Sequence, residues 1–154
     1  MTSQTAKVNF VIFAYCQIVK QVYKKFTVAK APMEGKHFEN CIRFFDAAQE
    51  NGATLQSLML ACIDHFPPYW CQKVFKRVYP SITILVSEKS RNRGLKNFPK
   101  MMEATEPDAI AYFYAMQLKS YGNDIVEGLL RNGFVEGEKI QERVREILAK
   151  ERAL

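Results

Sequence analysis

The sequence predicts an all-α protein, a single compact domain of about seven or eight helices joined by short loops. Three observations predict it. Apolar residues recur near a 3.6-residue spacing through most of the chain. Proline, glycine and Asn-Gly steps interrupt that spacing at helix-length intervals. Only residues 81–87 have a strand-like composition, and no second strand candidate exists to pair with them. The chain has 154 residues, 48% apolar and 25% charged. Those proportions are ordinary for a globular chain, and the length suffices to bury a core without disulfides. No internal repeat, low-complexity tract or linker divides residues 1–154, so they are read as one domain.

The first predicted helix covers residues 7–26, with Val8, Val11, Ile12, Tyr15, Ile18, Val19, Val22, Tyr23 and Phe26 on one stripe. A loop follows over residues 27–35, where Pro32 excludes regular helix. The second helix, residues 36–50, turns Phe38, Cys41, Ile42, Phe45 and Ala48 inward and stops at Asn51-Gly52. Thr54 caps a third, whose face carries Leu55, Leu58, Met59, Cys62, Ile63 and Phe66, and Pro67-Pro68 ends it. A fourth, residues 69–79, buries Trp70, Cys71, Val74, Phe75 and Val78 and stops at Pro80.

Residues 81–87 are assigned to helix for want of a pairing strand. Residues 88–105, with Gly94 and Pro99 inside them, read as the most irregular stretch, and residues 89–94 as a loop. Thr105-Glu106-Pro107-Asp108 is a helix start: a capping residue, a first-turn proline and an acid. That helix runs to residue 120, and Gly122 stops it. A short helix over residues 124–131 follows, and the last covers residues 136–153. Its seam of Ile140, Val144, Ile147 and Leu148 suits either its own domain or a partner helix.

Charge is the most informative functional signal. The net charge of +6 is unevenly placed: +2 over residues 1–68, +7 over residues 69–100 and −3 over residues 101–154. In the basic window Gln72, Lys73, Lys76 and Arg77 share one face of the fourth predicted helix. Lys89, Arg91, Asn92, Arg93 and Lys96 follow, with Gly94 permitting close backbone approach. Cations neutralise phosphates, and Gln72 and Asn92 are the residue types that read base edges. Tyr69, Tyr79 and Phe98 lie in the same window as candidate stacking platforms. The expected function is therefore nucleic-acid binding, DNA or RNA, without catalysis. A solvated basic face, or one neutralised by the acidic C-terminal helices, is the plain alternative. Helices three and four have the order of a helix-turn-helix, but the turn carries prolines where that motif favours glycine.

The second expected role is a protein–protein adaptor or homo-oligomer using the C-terminal helix and exposed aromatics. An enzyme ranks third. The two histidines pair by helical spacing with cysteines, His37 with Cys41 and His65 with Cys62, which permits a zinc or nucleophile reading. Both cysteines, however, lie on apolar stripes where core packing is the default. No phosphate-binding glycine motif occurs, and no cofactor, metal ligand or catalytic residue is expected. Four scattered cysteines without a Cys-x-x-Cys pair fit a reducing cytoplasm. The apolar run at residues 8–16 has no cleavage site, and no stretch reaches the ~18 apolar residues of a membrane span.

Overall fold

Ser3 opens the first helix by accepting a hydrogen bond from the Ala6 N–H. In the computed structural model, which describes residues 3–63, 66 and 79–153, α1 covers Gln4–Tyr23. Its expected stripe is in the core from Val8 through Tyr23, with Ile12 half-buried. The stripe stops one turn early. Lys24 adopts the left-handed conformation (φ 58°), its N–H closes back onto the Val19 carbonyl, and Phe26 is left 88% exposed.

After an extended connector, α2 (Gly35–Glu50) packs on α1 through Cys41, Phe44 and Ala48, with Phe38, Ile42 and Phe45 at its edges. A capping box between Thr54 and Ser57 then starts α3 (Leu55–Cys62). Every residue from Ser57 through Ile63 is at most 1% exposed. The fourth predicted helix, with Gln72, Lys73, Lys76 and Arg77, lies outside the described residues.

Ser81 caps α4 (Ile82–Leu85), so the helix assigned within residues 81–87 is a single turn, and Ser87 caps α5 (Glu88–Asn97). The short α6 (Pro99–Glu103) follows, with proline in its first turn. Residues 88–105 are therefore mostly helix, not the irregular stretch their sequence suggests. The reason is Gly94, which stands mid-helix because α5 crosses α3 there. A Cβ on Gly94 would sit 2.7 Å from Cys62 Sγ and 3.2–3.3 Å from the α3 backbone. The close approach that glycine permits is to another helix.

The chain completes itself with α7 (Glu106–Leu118), α8 (Asn123–Arg131) and α9 (Glu138–Ala153). Around α3 are packed α1, α2, α5, α6 and α7, and α9 lies along α7. Nine helices and no strand occur among the described residues, an all-α architecture.

The C-terminal seam is covered by its own chain. Val144, Ile147 and Leu148 are buried and Ile140 half-buried. The Arg143 guanidinium grips Asp108 with two bonds, Nε to Oδ1 at 2.6 Å and Nη2 to Oδ2 at 3.3 Å. Arg145 grips Glu127 on α8 in the same way, and Arg152 donates to the Tyr121 carbonyl.

Two tyrosines on α1 fasten both sides of residues 67–78. Tyr23 Oη donates to the Phe66 carbonyl and Tyr15 Oη to the Pro80 carbonyl, each at 2.8 Å. The two anchors are about 12 Å apart along the helix. Burial pushes the Tyr15 phenol up to about 12, so it remains a donor throughout the physiological range.

The α3–α5 contact has a direct test. Gly94→Ala is expected to cost about 1–3 kcal/mol through overpacking. Gly128→Ala, in α8 with nothing within 4 Å of its Cβ position, is expected to gain about 0.5–1 kcal/mol. Urea unfolding of both variants reads the difference, and a stabilised Gly94→Ala protein would refute the tight crossing.

Candidate nucleic-acid interface

The inward face of α5 holds Ser90, Arg91 and Gly94, all buried. Its helical period then dictates what faces out. Lys89, Asn92, Arg93 and Lys96 are exposed, and Lys100 on α6 continues the line. Three basic residues expected on a loop, Lys89, Arg93 and Lys96, are thus arrayed at i, i+4 and i+7 on one helix face, with Asn92 at i+3. Lys100, in the basic window but not among the expected contacts, joins them because α6 follows α5 after the single residue Phe98. Glu88, in the first turn, is the one acid of α5.

Arg91 departs from this set. It is only 7% exposed, and its Nη1 donates to the Val86 carbonyl at 3.2 Å. Burial lowers its pKa, and the nearby Arg43 works in the same direction while Glu88 opposes it. Its position among the expected phosphate contacts is therefore corrected: it clamps the α4–α5 turn from inside. Spacing alone places it two positions past Lys89, about 200° around the helix, which is the signal that separates the two.

Neutralisation by the acidic C-terminal third is not what the ion pairs show. Asp108 and Glu146 pair with Arg143, Glu127 with Arg145, and Glu136 with Lys24. Among the described residues no ion pair engages Lys89, Lys96 or Lys100. Adjacent to Lys100 is a cleft of about 210 Å³ whose walls include Phe98, Met116 and Tyr112. Of the suspected stacking residues, Phe98 thus borders the basic face. Tyr79 is half-buried against the Tyr23 ring, with centroids 6.1 Å apart, and Tyr69 lies outside the described residues.

The zinc and nucleophile readings meet two buried thiols. Cys41 Sγ is 4.0 Å from His37 Nδ1, but burial pushes its thiol up to about 11 and moves the imidazole down. At neutral pH that pair is a protonated thiol beside a neutral ring. Cys62 is covered by Gly94, and His65 lies outside the described residues. Among the described residues no group of three His, Cys, Asp or Glu converges as a metal site. No helix described is long and apolar enough to cross a membrane.

Arg91→Met is expected to lower stability by about 1–3 kcal/mol, because it removes a donor from a buried carbonyl. Denaturant unfolding measures it, and an unchanged midpoint would return Arg91 to the surface. Comparison of the chain with known protein families, with characterised proteins and with solved structures finds no match to any of them.

Proposed function

We propose that the protein binds single-stranded nucleic acid, holding backbone phosphates along the outer face of α5 and α6. The observation that carries this reading is the set Lys89, Lys96 and Lys100, exposed on two successive helices and without ion pairs among the described residues. Arg93 lies on the same face. Lys89 and Arg93 stand at i, i+4 within α5, a like-charge spacing that costs an isolated helix about 0.2–0.5 kcal/mol.

A phosphate backbone supplies the missing counter-charge, and its binding releases condensed cations. Asn92, exposed between Lys89 and Lys96, offers an amide to a base edge. The apolar cleft beside Lys100 favours a single strand, whose unstacked bases can enter a slot between Phe98 and Tyr112. Lys73, Lys76, Arg77 and Gln72 join the proposal from the sequence alone.

Fluorescence anisotropy with labelled single-stranded DNA, single-stranded RNA and duplex DNA, across about 50 to 300 mM salt, tests the reading. The expected result is single-strand binding that weakens linearly in log–log form. Replacing Lys89, Lys96 and Lys100 by glutamine should lower the salt slope by about 2, at ~0.7 per single-strand phosphate contact. Replacing Lys73, Lys76 and Arg77 measures the share of the preceding segment. If the first triple variant binds as the parent does, the α5 face is ordinary solvated surface.

A further inference from the structure

On another part of the molecule, the outward side of α1 carries large apolar side chains that its core-facing stripe does not absorb. Phe10, Phe13 and Lys20 are exposed there. Phe13 and Lys20, seven residues apart, stand within about 20° of each other around the helix. Phe13 is 64% exposed, and Phe10 is also exposed although its ring stacks on that of Phe45, with centroids 6.3 Å apart. Past the end of α1, Lys25 and Phe26 border the same cleft as Lys20.

The connector between α1 and α2 then runs back beside α1. Ala31, Pro32 and Met33 line one small cleft together with Thr5, Val8 and Asn9 of that helix. From Phe26 to Lys30, exposed and half-buried residues alternate, the period of extended backbone. Ala29 packs against the core and Thr27 is half-buried, whereas Phe26, Val28 and Lys30 are exposed. Small side chains are thus sheltered and large apolar ones left in water, the reverse of what burial favours.

Five of the seven large apolar side chains exposed among the described residues fall within residues 10–33. Residues 1–33 also contain five lysines and no Asp or Glu. Asp46 and Glu136, which reach this region from elsewhere, are each paired, with Lys7 at 2.6 Å and with Lys24 at 3.2 Å. Lys20, Lys25 and Lys30 are exposed without ion pairs among the described residues. Exposed lysines alone, or scattered apolar side chains alone, are ordinary surface. Their coincidence restricts the partner. A second copy meeting this face with its own would add lysines and no acid from residues 1–33. A nucleic acid would answer the cations, but Val28 and Met33 offer no ring to a base. A bilayer with anionic headgroups answers both, because its charge lies just outside the apolar boundary that takes such side chains.

We propose that the outer side of α1 and the connector after it dock the protein on an anionic lipid surface. Phe13, Phe26 and Val28 enter the boundary between headgroups and acyl chains, and Lys20, Lys25 and Lys30 stay at headgroup level. The contact is with one leaflet and needs no membrane-spanning helix. The surface is separate from the α5 face and does not rest on the nucleic-acid reading.

Co-sedimentation of the full chain with vesicles of phosphatidylcholine, alone or with about one-quarter phosphatidylserine, tests the proposal across about 50 to 300 mM salt. The mixed vesicles should bind at least about tenfold more tightly than the neutral ones, and less tightly as salt rises. Phe13→Ser with Phe26→Ser, both at exposed positions, should weaken that binding at least about tenfold in a protein that melts as the parent does. Lys20→Gln, Lys25→Gln and Lys30→Gln together should weaken it by a similar factor. The variant with Lys89, Lys96 and Lys100 replaced by glutamine, equal in net charge, should lose less than about threefold. Equal binding to both vesicle types would overturn the proposal. So would full binding by the phenylalanine pair, or equal losses in the two lysine variants. Capture of polyglutamate but not of vesicles would also overturn it, and would assign the surface to an acidic protein.

Discussion

Helix α3 is eight residues long and has no solvent face, and the rest of the molecule is arranged around that condition. An isolated helix of this length is marginal in water, so its stability comes from what packs on it. Buried on all sides, it must also satisfy its own polar groups. Ser57 does so by sharing the capping box with Thr54. Five helices surround α3, and the tightest constraint falls on α5, where Gly94 meets Cys62 and the α3 backbone. Fixing Gly94 inward fixes the azimuth of every other α5 residue. Ser90 and Arg91 must turn in with it, and Lys89, Asn92, Arg93 and Lys96 must turn out. The contact that builds the core thus also aims the basic face.

The same contact explains which parts of the fold could be read from the sequence. Helices α1, α2, α7 and α9 each bury apolar residues at helical spacing, and α3 announces itself with Thr54 and a run of large apolar side chains. Their existence and most of their inward residues follow from periodicity. Helix α5 has no such stripe. Its inward positions are a serine, an arginine and a glycine, so it reads as a loop until the neighbour that fills the space is known. Phe26 errs in the opposite direction. It continues the α1 spacing perfectly, yet the left-handed Lys24 redirects the chain before it. Neither a helix crossing nor a turn chosen by a lysine leaves a periodic trace.

The C-terminal seam shows how a local ambiguity is resolved by chemistry at a distance in sequence. Ile140, Val144, Ile147 and Leu148 fit a partner helix or the home domain equally well by pattern. The bidentate bond from Arg143 to Asp108, 35 residues away, selects the home domain and holds α9 along α7. The same chemistry engages several acids of the C-terminal third. Asp108, Glu127, Glu136 and Glu146 answer the arginines of α9 and the lysine at the end of α1, and none of these four pairs with the basic face of α5.

Among the cations without an ion pair in the described residues, Lys89, Lys96 and Lys100 stand out because they are exposed on two successive helices. On α5 like charge also recurs at one-turn spacing, in Lys89 and Arg93. A chain whose local preferences all agree with its fold has no reason to retain such conflicts, and natural sequences retain them chiefly where something binds. The α5 face is open, and under the proposed function its cations stand at intervals that a polymer of regularly spaced charge can meet.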